Sequence, residues 1–101
     1  MNVAIDYDDT YTCDPSAWNE IINILHQNNH KVYCVTKRYK ELADDIRQAI
    51  NIPIIYATRS KLEAVTEKGI KIDVWIDDKP QSITPYKAQN GLHRNNIWRK
   101  I

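Results

Sequence analysis

A chain of 101 residues with a formal net charge of +1 fits one compact domain, and its charge balance demands neither nucleic acid, a membrane surface nor an acidic partner. Its 43% hydrophobic and 27% charged residues are those of a soluble globular protein and exclude a disordered or fibrous one. No apolar run approaches the ~20 residues of a membrane span, and the first residues lack the order of a signal peptide. Cys13 and Cys34 are the only cysteines, so the expected state is two reduced thiols in the cytoplasm. Neither belongs to a CxxC pair and the histidines are scattered, which argues against zinc.

Asn2 to Ile5 is a short apolar run that ends in acids and predicts a buried strand. Asp14 can cap a helix with Pro15 at its first position; Trp18, Ile21, Ile22 and Leu25 recur at helical spacing over residues 15–29. Lys31 to Val35 predicts a second strand, ending at Thr36. Leu42, Ala43, Ile46, Ala49 and Ile50 mark a second helix. Ile54 to Ala57 predicts a third strand, entered through Pro53. Ser60 and Glu63 have the spacing of a capping box, so a third helix starts near Lys61 and stops at Gly69. Ile72 to Ile76 predicts a fourth strand, closing with Asp77 and Asp78. Strands alternating with helices imply an α/β fold: a Rossmann-like three-layer sandwich, its mainly parallel sheet covered by helices on both faces. Residues 86–101 would supply a fifth strand or leave the sheet at four, and Trp98 could anchor a subunit contact in a homo-oligomer.

Ligands of such sheets bind beyond the carboxyl ends of the strands. There the chain places Asp6, Asp8, Asp9 and Thr10, then Thr36, Lys37 and Arg38, then Thr58 to Lys61, and finally Asp77 and Asp78. Carboxylates packed together repel, and a hard divalent cation relieves that cost. Magnesium suits an all-oxygen donor set completed by substrate phosphate. Lys61 could bind phosphoryl oxygens or hold a nucleophilic carboxylate; Thr36 could donate to the same oxygens. Asp8, two residues beyond Asp6, could serve as general acid and then activate water. Together these groups fit phosphoryl transfer through an aspartyl-phosphate.

Four segments carry a resemblance: Val-Ala-Ile-Asp6-Tyr-Asp8-Asp-Thr10, Val-Tyr-Cys-Val-Thr36, Lys61 at a helix start, and Val-Trp-Ile-Asp77-Asp78. In this order they resemble the motifs of the haloacid dehalogenase-like (HAD) superfamily, over roughly residues 1–85. The resemblance implies Asp6 as nucleophile and magnesium ligand, and Asp8 as general acid/base offering its carbonyl to the metal. It implies Thr10 as support for the loop, Thr36 and Lys61 as phosphoryl ligands, Asp77 as a direct metal ligand and Asp78 as a nearby one. A second acid at Asp8 favours phosphatases over dehalogenases. The family often has glycine where Asp9 stands. The loop from Tyr11 to Asp14 is too short for a cap domain, so the chain resembles capless members, whose open sites admit large substrates.

Other readings compete. Thr36 alone could cap the second helix, and Lys68 is a rival for Lys61 but sits toward the wrong helix end. Lys37, Arg38 and Arg59 read as a solvated basic cluster, or as grips for further phosphates, with Lys37 the first candidate. Tyr11 and Tyr39 read as exposed tyrosines near the mouth that could stack on a base. The expected function is a magnesium-dependent phosphohydrolase acting on a phosphorylated small molecule, a nucleotide or a nucleic-acid end. The alternatives are an inactive HAD-like binding module and a phosphorylated receiver. The receiver needs an acid after the third strand, where Ala57 and Thr58 stand instead.

Overall fold

The computed structural model describes residues 1–85. The proposed fifth strand and the Trp98 contact lie outside the described residues. Four strands form one sheet: β1 (Asn2–Ile5), β2 (Lys31–Thr36), β3 (Ile54–Tyr56) and β4 (Val74–Ile76). Their order is β3-β2-β1-β4, and every neighbouring pair is parallel. The helices are α1 (Pro15–Gln27), α2 (Asp44–Ala49) and α3 (Lys61–Glu67), with 3₁₀ turns at Tyr11–Cys13, Lys40–Leu42 and Pro80–Ser82. None of these helices is long and apolar enough to cross a membrane.

Alternation along β1 explains the core. Val3 and Ile5 join Val32, Cys34, Ile22 of α1 and Ile46 of α2 in one buried cluster. Ala4 turns the other way and joins Val35, Ile55 and Val65 of α3. Both faces of the central strands are therefore buried, as their unbroken apolar runs require. Burial also pushes the Cys34 thiol up to about 12, which makes it an inert packing residue.

The helix ends follow their local chemistry. The Asp14 carboxylate accepts from Ala17 N at 3.1 Å, with Pro15 at the first helical position. Ser60 Oγ accepts from Glu63 N at 3.1 Å and donates to Glu63 Oε1 at 3.0 Å, so Ser60 caps the helix and Glu63 folds back onto the capping hydroxyl. Gly69 follows α3 with φ +71°, a left-handed value that favours glycine.

The boundaries differ from expectation in four places. Helix α1 stops at Gln27 rather than residue 29, because Asn29 takes φ +64°. Strand β3 ends at Tyr56, one residue before Ala57. Strand β4 starts at Val74, two residues late: Asp73 Oδ2 accepts from Asn2 N at 2.7 Å, and Asn2 Nδ2 donates to Lys71 O at 2.8 Å, so side chains satisfy the entry to this edge. The second helical region splits into the 3₁₀ turn and α2, which leaves Leu42 exposed, whereas Ala43, Ile46 and Ile50 are buried. Ile21 is likewise exposed on α1, whose buried stripe is Trp18, Ile22 and Leu25.

Ile46 is the buried residue of the short α2, and its side chain is fully buried. Ile46→Ala should cost ~2–5 kcal/mol, read from urea unfolding followed by circular dichroism. An exposed-site control, Ile24→Ala, should stay within about 0.5 kcal/mol.

Candidate active site

After β3 the chain returns to the far side of β1 to form β4, so β1 and β4 meet where the strand order reverses. A crevice opens at such a point beyond the carboxyl ends. The register puts Ile5 beside both Cys34 and Ile76, and Asp6 N donates to Ile76 O at 3.0 Å. The residues that follow, Asp6 and Asp77, therefore emerge side by side, with Thr36 at the end of β2 next to them.

Lys61 enters from the first turn of α3. Its ammonium is 2.8 Å from Asp6 Oδ1 and 2.6 Å from Asp77 Oδ2, with its side chain 3% exposed. Asp78 completes an acidic group with Asp6 and Asp77, whose carboxylate oxygens lie within 4.8 Å of one another. Thr10 Oγ1 sits between two of them, 3.4 Å from Asp6 Oδ2 and 3.3 Å from Asp78 Oδ1. Asp77 Oδ1 accepts from Lys79 N at 2.9 Å, and Ser82 Oγ lies 3.4 Å from Asp77 Oδ2. The charges do not cancel: three carboxylates face one ammonium. Burial pushes the Asp6 carboxyl up to about 6 against the opposing pull of Lys61, and the charge of Asp77 adds to the rise. For Asp78 burial also opposes ionisation, but hydrogen bonds with Asp6 and Thr10 outweigh it and hold the carboxyl below its usual range. A hard cation fits this donor set, because it is all oxygen and carries surplus negative charge.

These groups line a cavity of about 430 Å³ together with Asp8, Thr36, Lys37 and Arg38. Thr36 is buried and does not cap α2; its hydroxyl accepts from Arg38 N at 3.1 Å, which turns the loop after β2. Lys68 sits at the C-terminal end of α3, outside the cavity lining, whereas Lys61 reaches the carboxylates. Lys37 is exposed on the rim. Arg59 is not in this cavity; it pairs with Glu63 at 3.2 Å beside a neighbouring groove that shares Lys37 and Lys79. Asp9 has φ +61°, which explains why a glycine suits that position and why an aspartate, tolerant of the left-handed region, can hold it.

Two expectations fail here. Tyr11 is not at the mouth: it is buried against Tyr7 with centroids 5.6 Å apart, and its hydroxyl lies 2.9 Å from Asn19 Oδ1 and 3.2 Å from Ala49 O. Arg38 is not merely solvated surface. Its Nε and Nη2 donate to the two oxygens of Asp8 at 3.0 and 2.9 Å, and the guanidinium also grips both oxygens of Asp45 at 2.9 and 3.1 Å. The sequence signal for this was the pair of acids at Asp44 and Asp45 beginning a helix soon after an arginine. Arg38 thereby sets the orientation of Asp8 and ties α2 to the site.

No family model, curated protein or solved structure matches this chain.

A carboxyl whose pKa is higher in the folded than in the unfolded state holds more protons when folded. The Asp6 contribution to stability is thus present at low pH and is lost as pH rises from 3.8 through about 6. Without metal, Asp6→Asn should remove this loss, so the stability difference from wild type should change by on the order of 2 kcal/mol between pH 4 and 8 in urea titrations. Lys61→Met strands two buried carboxylates and should cost ~3–5 kcal/mol at pH 8; the Asp6→Asn/Lys61→Met double variant should lose less in the same titration, because one stranded charge is gone.

Proposed function

We propose that the protein is a magnesium-dependent phosphohydrolase that works through an aspartyl-phosphate on Asp6. The observation that carries this reading is Lys61, buried and bonded to Asp6 and Asp77 at 2.8 and 2.6 Å in a cavity also lined by Lys37, Arg38 and Lys79. In this reading the domain is a capless Rossmann-like three-layer sandwich of the HAD type, from the cytoplasm, where unpaired Cys13 and Cys34 would stay reduced. Its substrate is a phosphate ester, either a phosphorylated small molecule or a nucleic-acid end.

Asp6, Asp77 and Asp78, with the carbonyl of Asp8, would hold Mg²⁺. When bound, the metal would screen the charge of the incoming phosphate from the Asp6 carboxylate. Lys61 fixes one oxygen of Asp6 and so orients the carboxylate toward phosphorus. Thr36 and Lys61 offer donors to the phosphoryl oxygens, and Lys37 adds positive charge at the rim. An Asp6 oxygen attacks phosphorus, and the bond from phosphorus to the leaving oxygen breaks. Asp8, positioned by Arg38 and entering the cycle protonated from solvent, gives that oxygen a proton. Asp8 then takes a proton from water as the water oxygen attacks the phosphorus of the aspartyl-phosphate. Phosphate leaves and the Asp6 carboxylate is regenerated. Thr10 holds the Asp6 and Asp78 oxygens in register throughout.

The test is hydrolysis of an aryl phosphate with and without magnesium. Wild type should turn over only with the metal, Asp6→Asn should lose on the order of 10³-fold or more, and Asp8→Asn ~10²–10⁴-fold. Rapid acid quench with a ³²P-labelled substrate should trap label on wild type and none on Asp6→Asn. Equal background from wild type and Asp6→Asn on a broad set of esters would point instead to an inactive binding module.

A further inference from the structure

The cavity is larger than a phosphate group needs. At about 430 Å³ it lies in the ~300–1,000 Å³ range of sites that enclose whole small molecules. Its floor is charged or hydroxylic, but one wall is not. Tyr39 and Leu42 are the two large apolar side chains in the lining, and they are 67% and 68% exposed. Both side chains stand in water at the edge of a polar cleft, where the apolar face of a ligand can cover them.

The wall is also held in place. Leu42 N donates to Tyr39 O at 2.9 Å, closing the 3₁₀ turn. Arg38 Nη1 donates to Leu42 O at 3.0 Å and Arg47 Nη1 to Lys40 O at 3.0 Å, so two arginines brace the turn from below. Arg38 is itself locked by Asp8 and Asp45. A shelf fixed by these bonds loses little further freedom when a ligand lands on it, which suits recognition of a flat group.

Resting on the phosphohydrolase reading, we propose that Tyr39 and Leu42 form the leaving-group subsite, and that it takes the base of a nucleoside monophosphate whose phosphate sits at Asp6. Aromatic stacking supplies affinity for a planar base without reading its edges. The floor contributes phosphate contacts and the shelf contributes the discrimination against sugar and glycerol phosphates, which have no planar face. A volume of about 430 Å³ has room for one nucleotide. Lys37 and Lys79 line both this cavity and the neighbouring groove.

The experiment compares kcat/KM for a nucleoside monophosphate and for glycerol 2-phosphate, with magnesium, in wild type, Tyr39→Ala, Tyr39→Phe and Leu42→Ala. Tyr39→Ala should lower the nucleotide-to-glycerol-phosphate ratio roughly 5- to 100-fold, mainly through the nucleotide KM, and Tyr39→Phe should restore it. An unchanged ratio in Tyr39→Ala would overturn the proposal even with the phosphohydrolase intact. Preference for a phosphorylated oligonucleotide end over the mononucleotide would overturn it in favour of a strand running toward Arg59. Calorimetric binding of the nucleoside monophosphate to Asp6→Asn and to Asp6→Asn/Tyr39→Ala separates the two readings. If no ester is turned over, loss of binding in the double variant still supports the shelf while the phosphohydrolase reading falls; equal binding overturns the shelf.

Discussion

One buried ammonium holds this molecule's end together. Lys61 is 3% exposed and lies between two carboxylates that belong to different strands, while a third stands close by. A buried lysine is costly unless paired, and clustered buried carboxylates are costly unless balanced. Each side of the arrangement exists only because of the other. The sheet order makes it possible, since β4 is delivered beside β1 by a crossover from the opposite edge. The Ser60 cap then sets the first turn of α3 at that same edge, with Lys61 as its first residue. A fold defined by apolar alternation thus ends in a site whose geometry is electrostatic.

The balance is deliberately incomplete in a physical sense: with one cation among three acids, the cluster retains negative charge and Asp6 is desolvated enough for burial to push its carboxyl up. Such a cluster is poised for a positive guest. The cost is borne by a small scaffold. Two core clusters, one on each side of the central strands, must offset it, and Val3, Ile5, Ala4 and Val35 serve them from the very strands that lead into the site. Core and site share residues one peptide apart, so little of this domain is structurally neutral.

That sharing explains which features were legible in the sequence. Strand runs, the Asp14 cap, the Ser60 cap and the Gly69 stop are local signals, and the structure contains each of them. The convergence of Asp6, Thr36, Lys61, Asp77 and Asp78 was legible because parallel strands align their ends. What was hidden depends on contacts between distant elements. Tyr11 looks like a loop residue until Ala49 and Asn19 receive its hydroxyl, and then it is core. Leu42 has the right spacing for a helix face, but α2 begins after it, so spacing alone gave the wrong side. Arg38 reads as one of several surface cations until two carboxylates, 30 positions before and seven after it, are seen to share it.

Arg38 also shows how such a small domain can make a cavity wall rigid. The guanidinium fork has donors enough to serve Asp8, Asp45 and the Leu42 carbonyl at once. A lysine, a single point of charge, could not hold those three in fixed relation. Through this one residue the loop after β1, the turn after β2 and the start of α2 are held together beside the cavity. In larger enzymes an added domain or closing loop can position the acid and shape the pocket around the leaving group. Under the phosphohydrolase reading proposed above, both tasks fall to the segment from Thr36 to Asp45: Arg38 orients Asp8, and the turn it braces presents Tyr39 and Leu42 to the cavity. Because one arginine serves both, the orientation of Asp8 and the shape of this cavity wall cannot vary independently in this fold.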